Sequence, residues 1–354
     1  MDSQIVIEAS GLTKTFWVNR HRRGALGALR GLVDRSGTEV KAVENISFRL
    51  QRGEIVGFIG PNGAGKSTTI KMLTGILVPS GGAATVDGIV PWENRKRLAG
   101  RIGVVFGQRT QLWWDLPLVE SLELLRHVYR VPADRFAQNL ARFRQLLDLD
   151  PFLETPVRQL SLGQRMRGDL AAALLHDPPI LYLDEPTIGL DVVAKARIRT
   201  FLADINRERA VTVLLTTHDL ADIEHLCRRI VIIDHGKLLY DGEINQIRER
   251  FGTQRTLVAD IDVQPGDPPA DQFRPGITLV KQDGPRHWFR FNRSEASASD
   301  VIAMVAERYR LLDVTIEEPD IEEIVRRIYE DGFERAGGNS TDYTTLETAT
   351  AMRR

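Results

Sequence analysis

Gly60-Pro61-Asn62-Gly63-Ala64-Gly65-Lys66-Ser67-Thr68 satisfies the spacing G-x-x-x-x-G-K-[ST]. At ordinary residue abundances chance places that pattern in about 1% of chains of this length. Glycine tolerates backbone shapes that a Cβ blocks, so successive N–H groups can converge on phosphate oxygens at the positive end of a helix. The spacing predicts that Lys66 reaches β- and γ-phosphates and that the Ser67 hydroxyl coordinates a bridging Mg2+. Such a loop needs a carboxylate from another strand. Ile180-Leu181-Tyr182-Leu183-Asp184-Glu185 offers two after four apolar residues: Asp184 to hold the metal directly or through water, and Glu185 to polarise an attacking water as general base.

The elements around these residues fit that role. Residues 54–59 read as a short buried strand running into the glycine loop, and a helical pattern begins near Lys66. Residues 4–9 and 43–50 alternate as strands, and a helical region runs from about Leu116 to His176. Apolar strand runs return at Ile180–Leu183, Val211–Thr216 and Arg229–Ile233, with a helix across Val193–Asn206. Alternating strands and helices predict a parallel sheet in an α/β core. Beyond Tyr240 the pattern predicts a linking helix to Phe251, strands near 257–263, 277–282, 287–292 and 311–317, and helices at 297–309 and 320–331. The Gly-, Ser- and Thr-rich end after Gly332 has too few apolar residues to pack and reads as disordered.

Kinases and GTPases also pair a phosphate loop with a strand-end acid, so Leu160-Ser161-Leu162-Gly163-Gln164-Arg165 discriminates. Ser161 and Gln164 have capping-box spacing, which locally predicts a helix start. The functional alternative is a helix tip that faces a γ-phosphate held by a second subunit, with Gly163 allowing close backbone approach. At this point the chain resembles the ABC transporter ATPase family, over about Ile5 to Gly242.

The resemblance implies that Ser161, Leu162, Gly163 and Gln164 form a signature acting in trans, with two such domains sandwiching two ATP molecules head to tail. Leucine stands at position 162 where the family has glycine, which leaves altered turnover or an asymmetric pair of sites as open alternatives. It also implies a magnesium-contacting glutamine at Gln108, with Gln111 as the second candidate. His218 looks like the switch histidine that contacts the γ-phosphate, and Asp191 in Gly189-Leu190-Asp191 like the contact residue of a subunit-crossing loop. Phe16 matches the aromatic that stacks on adenine, with Trp17 as a substitute. Trp113 and Trp114 either line a groove for a membrane subunit or pack in the core.

The fold class expected is therefore α/β: an ABC-type P-loop ATPase core with a mainly parallel sheet and a helical subdomain, then a small α+β domain. Its expected bounds are 1–242 for the ATPase domain, with a basic insert at 17–41 and a helical subdomain at about 110–176. An accessory domain at 243–334 and a tail at 335–354 complete the expectation. The insert carries six basic residues against two acidic ones, and Gly24 to Val33 fits a short amphipathic helix. It reads either as a solvated loop or as a contact for acidic lipid or a partner protein.

Composition narrows the function. The 354 residues contain 42% apolar and 27% charged residues, which excludes collagen-like, wholly disordered and multi-span membrane classes. Net charge is −1, so no global field recruits nucleic acid, and no direct nucleic-acid partner is expected. Cys227 is the single cysteine, which suits a reducing cytosol and leaves no Cys-based metal cluster. The N-terminus has no basic region leading into an apolar stretch, and no apolar run approaches 18 residues. The expected function is an ATP-hydrolysing subunit at the cytoplasmic face of the membrane. It would use ATP and Mg2+, pair with itself or a paralogue, and power export of a drug-like or lipid substrate through a separate multi-span permease. The alternatives are an importer ATPase, a soluble ABC ATPase acting on ribosomes or DNA, and a P-loop phosphotransferase. The last leaves Leu160–Gln164 and His218 unexplained.

Overall fold

The computed structural model describes residues 4–19, 37–107, 109–252, 254–263, 276–318 and 320–331. The chain divides into two compact units, Met1–Gly242 and Glu243–Arg354. The proposed helix at Gly24–Val33, most of the basic insert, Gln108 and the tail at 335–354 lie outside the described residues.

Two sheets build the first unit. Strands β1 (Ile5–Asn19), β2 (Gly37–Gln51) and β4 (Gly81–Val86) form an antiparallel sheet in the order β2-β1-β4. Its inner face is legible in β2, where Ile46, Phe48 and Leu50 are buried and the residues between them are exposed. Both long strands run past the expected limits. Register shifts at Ala9/Leu12, Leu12/Lys14 and Lys14/Thr15 break the period of two, yet pairing continues from Thr15↔Lys41 to Asn19↔Gly37.

The second sheet has the order β5-β6-β7-β3-β8-β9. Its members are β3 (Ile55–Ile59), β5 (Ile102–Phe106), β6 (Ile180–Asp184), β7 (Thr212–Thr216), β8 (Arg229–Asp234) and β9 (Lys237–Glu243). The pairs β5·β6, β6·β7, β7·β3 and β3·β8 are parallel. β6 and β7 are buried along nearly their whole length, as a sheet covered on both faces requires. Side chains from both sheets and from helix α1 (Lys66–Leu73) share one core, in which Phe48 and Phe58 lie 5.6 Å apart between ring centroids.

Four further helices position the site: α2 (Arg95–Ala99), α3 (Leu118–Tyr129), α4 (Ala133–Leu147) and α5 (Leu162–Leu174). α5 buries Met166 and the run Leu170–Leu174 and carries an acid, Asp169, within this buried face. Asp169 accepts hydrogen bonds from Thr110 Oγ1 (2.8 Å) and the Gln111 N–H (3.1 Å), pinning the segment after Gln108 to the helix. The unit closes with α6 (Val192–Arg209) and α7 (Leu220–Leu226).

The second unit holds α8 (Ile244–Phe251) and a four-stranded antiparallel sheet in the order β11-β12-β10-β13. These are β10 (Gln254–Asp262), β11 (Ile277–Asp283), β12 (Arg286–Asn292) and β13 (Arg310–Glu317). Leu257, Ala259, Phe289 and Phe291 pack with Val301 and Val305 of α9 (Ala298–Arg308), which starts at a Ser297/Asp300 capping box. The final helix, α10 (Ile321–Asp331), buries Ile321, Ile324, Val325 and Ile328, one face at helical spacing.

Burial pushes the Asp169 carboxyl up to about 6, against the hydrogen bonds from Thr110 and Gln111 that pull it down. The folded state therefore holds this proton more tightly than the unfolded chain, and stability from Asp169 falls as pH rises from about 4 through about 6. In urea unfolding, wild type is expected to lose about 2–3 kcal/mol relative to Asp169→Asn between pH 4 and pH 7.

Candidate active site

The glycine loop connects the C-terminal end of β3 to α1, at the middle of the parallel sheet. Gly65 is the N-cap of α1 with φ 106°, and Gly63 has φ 84°. The loop is clasped from outside. Ala64 accepts a hydrogen bond from the Gly236 N–H (3.1 Å), and Gly236 in turn accepts from Glu44 (2.7 Å). Ala64 donates to Pro61 O and Thr69 to Gly65 O. The N–H groups of Gly63, Gly65, Lys66, Ser67 and Thr68 have no acceptor among the described residues, so the loop presents a run of donors.

Lys66 is buried, and its ammonium donates to the carbonyls of Gly60 (2.5 Å) and Pro61 (3.2 Å). Burial lowers its pKa below the ordinary lysine value, while the Glu185 and Asp184 carboxylates oppose that shift. Ser67 Oγ donates to Asp184 Oδ1 at 3.2 Å, and Thr216 Oγ1 donates to the same oxygen at 2.7 Å. Asp184 and Thr216 are direct neighbours in the parallel register of β6 and β7. A hydroxyl beside a carboxylate is an all-oxygen donor pair suited to a hard divalent cation. No cluster of three or more His, Cys, Asp or Glu among the described residues could hold a metal unaided. Such a pair would hold Mg2+ only with phosphate oxygens completing the shell.

Glu185 leaves the strand sharply. Its φ is 58°, a left-handed conformation that costs a non-glycine residue roughly 1–3 kcal/mol. Its N–H donates to the Thr216 carbonyl at 3.0 Å, and Oε2 lies 2.7 Å from His218 Nδ1. Gly107 sits directly against this turn: its N–H donates to Asp184 O (2.7 Å), and a side chain there would collide with the Glu185 carbonyl. His218 itself is mostly exposed.

The structure thus brings together Lys66, Ser67, Asp184, Glu185 and His218. Phe16, Ser161, Leu162, Gly163, Gln164 and Asp191 make no hydrogen bond or ion pair with that cluster among the described residues. Phe16 is partly exposed on β1, opposite Val40, with Lys14 Nζ 5.2 Å from its ring centroid. The capping box is formed: Ser161 Oγ accepts from the Gln164 N–H (3.2 Å) and Gln164 Oε1 accepts from the Ser161 N–H (2.8 Å). Asp191 caps α6 by accepting from the Ala194 N–H at 2.8 Å. The Gln111 side-chain amide donates to the Asp169 carbonyl (3.3 Å). Trp113 and Trp114 are exposed, at 40% and 51%, so neither belongs to the core, and the Arg165 guanidinium lies 5.6 Å from the Trp114 ring centroid.

Sequence reasoning missed Thr216, although the run Thr216-Thr217-His218 at a strand end was a signal. It also missed two supports of the loop after Glu185. Lys195 pairs with Asp219 (2.5 Å), and buried Asp222 accepts from both Thr187 (2.5 Å) and Arg199 (2.5 Å). These partners lie 23 to 35 residues apart, beyond any local pattern.

A family description, ABC transporter, matches residues 43–188. The ABC transporter ATP-binding protein NatA of Bacillus subtilis (strain 168) is 32% identical over 210 residues, covering 59% of this chain and 85% of that protein. The Nod factor export ATP-binding protein I of Ralstonia nicotianae is 34% identical over 224 residues, 62% of this chain and 68% of that protein. Among solved structures, a dimeric ATP-binding cassette in a post-hydrolysis state with ADP and Pi superposes with a TM-score of 0.56. It shares 27% identity over 67% of this chain and 98% of its own.

The two loop glycines separate conformational from steric demand. A methyl at Gly63 meets nothing within 4 Å, whereas one at Gly65 lies 2.5 Å from the Ala42 carbonyl oxygen. Both substitutions suffer the positive φ. Gly65→Ala should therefore destabilise by at least about 1 kcal/mol more than Gly63→Ala in thermal unfolding.

Proposed function

The chain belongs to the ABC transporter ATP-binding family and is an ATPase, and from this premise we propose that it powers export through a separate multi-span permease. The metal is Mg2+, and the second ATPase subunit is a copy of this chain or a paralogue. Export is supported by the relative whose name is that of a Nod factor export protein. No helix among the described residues is long and apolar enough to cross a membrane. On this reading the permease is another chain, and this ATPase lies peripherally at its cytoplasmic face. The exposed pair Trp113 and Trp114, flanked by Arg158 bonded to Asp115, is the docking patch for that permease.

In this reading the loop amides of Gly63 to Thr68 and the Lys66 ammonium bind the phosphates of ATP, and Phe16 stacks on adenine. Ser67 and Asp184 hold the metal, which neutralises charge on the β- and γ-phosphates when bound. Gln108 joins that shell. Glu185 accepts the proton of the attacking water at its carboxylate, and His218, 2.7 Å from Oε2, orients that carboxylate and contacts the γ-phosphate. Gly60, Pro61, Asn62 and Ala64 shape the cradle.

The observation that carries the two-subunit reading is the state of the α5 tip. Ser161 and Gln164 satisfy one another, while the N–H groups of Leu162 and Gly163 have no acceptor among the described residues. A helix N-terminus with two free donors and no link to its own phosphate loop suits a γ-phosphate held by a second subunit. ATP then joins the two cassettes, with Asp191 on the crossing loop, and hydrolysis parts them.

Glu185→Gln keeps the shape and removes the base. Its ATPase rate should fall about 10²–10⁴-fold, while ATP with Mg2+ drives it to a dimer in light scattering. Turnover within a few-fold of wild type, or a monomer at saturating nucleotide, would refute the assignment.

A further inference from the structure

Leucine at position 162 has a structural partner in this chain. It is the first residue of α5, half-buried, directly after the Ser161 cap. A methyl placed on Gly189 would lie 3.0 Å from Leu162 Cδ2, the one heavy atom within 4 Å of that position outside residues 188–190 among the described residues. The leucine methyl therefore rests against the Gly189 backbone. The next tip residue faces the end of that loop and the start of α6: a methyl on Gly163 would lie 3.4 Å from Ala194 Cβ and 3.8 Å from Leu190 Cδ2.

The loop that Leu162 touches runs from Glu185 to the cap of α6. Ile188 donates to the Glu185 carbonyl (3.4 Å) and Leu190 to the Thr187 carbonyl (3.2 Å), so it is two successive turns. Its ends are anchored, by Thr187 on Asp222 and by Asp191 on the Ala194 N–H. Its midpoint, Gly189, is exposed with φ 71°, a conformation that gives it no side chain with which to hold itself. Leu162 supplies the missing side chain from the other element. With glycine at 162 there would be no such contact.

We infer that Leu162 is a positioning residue that clamps the Glu185–Asp191 loop to the α5 tip. This rests on the two-subunit reading above. Engagement of the tip by the nucleotide of one protomer then bears directly on the turn that follows Glu185 in the other. The leucine is thus a coupling element between the two sites, acting through Gly189 and without touching nucleotide through its side chain. Within one protomer the phosphate loop and Phe16 bind ATP, the Leu162 side chain has no contact with either among the described residues, and substitution at 162 keeps the backbone N–H of the tip.

The test is a double-mutant cycle on steady-state ATPase of the full chain, with Leu162→Gly, Gly189→Ala and the double variant. Leu162→Gly should lower kcat about fivefold with KM for ATP within about twofold, and Leu162→Met should recover at least about threefold of that loss. Gly189→Ala should cost kcat at least about fivefold more in the wild-type background than beside Leu162→Gly, because the positive-φ penalty is common to both and cancels. Leu162→Ala replaces Leu162→Gly if the latter unfolds. A kcat within about twofold of wild type, equal costs of Gly189→Ala in both backgrounds, or KM rising in step with kcat loss would each overturn the clamp. Nucleotide-driven dimerisation of Glu185→Gln is read alongside. Its failure sinks the two-subunit reading and the clamp with it, whereas dimerisation with additive costs sinks the clamp alone.

Discussion

A buried ammonium organises the first unit. Lys66 has lost most of its water, and burial alone disfavours its charge. The Asp184 and Glu185 carboxylates and the carbonyls of Gly60 and Pro61 compensate, which fixes where each of those groups must stand. The compensation comes across two strands, since β7 lies between β3 and β6. Thr216 occupies that intervening position and ties Asp184 to the middle strand at 2.7 Å, so the Asp184 carboxylate is held by the register of the sheet itself. The antiparallel sheet and the β8–β9 turn serve the same end. Ala42 limits what Gly65 can become, and Gly236 holds Ala64 from above.

The second constraint is local strain. Strand β6 is apolar and buried to its last residues, and a smooth continuation would keep Glu185 in the plane of the sheet. Instead Glu185 adopts φ 58° immediately before Pro186, with its N–H turned to the Thr216 carbonyl. Proline disfavours the right-handed helical region for the residue before it, but does not by itself favour the left-handed one. The surrounding contacts hold it there: Gly107 packs against the Glu185 carbonyl, the Thr216 carbonyl accepts the Glu185 N–H, and His218 Nδ1 lies 2.7 Å from Oε2. A broken local rule at a functional position, supported from three sides, is what a site under mechanical demand presents.

What was legible in the sequence follows from the range of each interaction. The phosphate loop, the strand-end acids and the Ser161/Gln164 box are set by spacings of at most eight residues, and each could be read directly. The strands β4 and β9 escaped notice because neither carries a strong pattern. β4 opens with Gly81-Gly82 and buries only Ala84 and Val86, and no residue of β9 is fully buried. β1 and β2 were cut short because bulges between Ala9 and Thr15 shift the alternation. Trp113 and Trp114 were undecidable from composition, since an aromatic pair serves a core or a surface equally well; tertiary context exposed both. The pairings of Thr216, Asp222 and Arg199 were not legible for a simpler reason. Their partners are brought near only by the folded sheet.

The tip of α5 connects these threads. Its capping box is a self-contained solution to the problem of helix ends, and it would serve a purely structural helix as well as a functional one. Two features distinguish it from such a helix. The donors left over are on Leu162, whose side chain touches the loop after Glu185, and on Gly163 beside it. That loop is anchored through Thr187 and Asp222 to α7, the helix that begins just after His218. A displacement of the tip by an anion therefore has a short, packed route to both Glu185 and His218, made of side-chain contacts and turns with no flexible linker between them. Under the proposed two-subunit reading, rigid connection of this helix end to Glu185 and His218 favours chemistry that proceeds only when both are engaged.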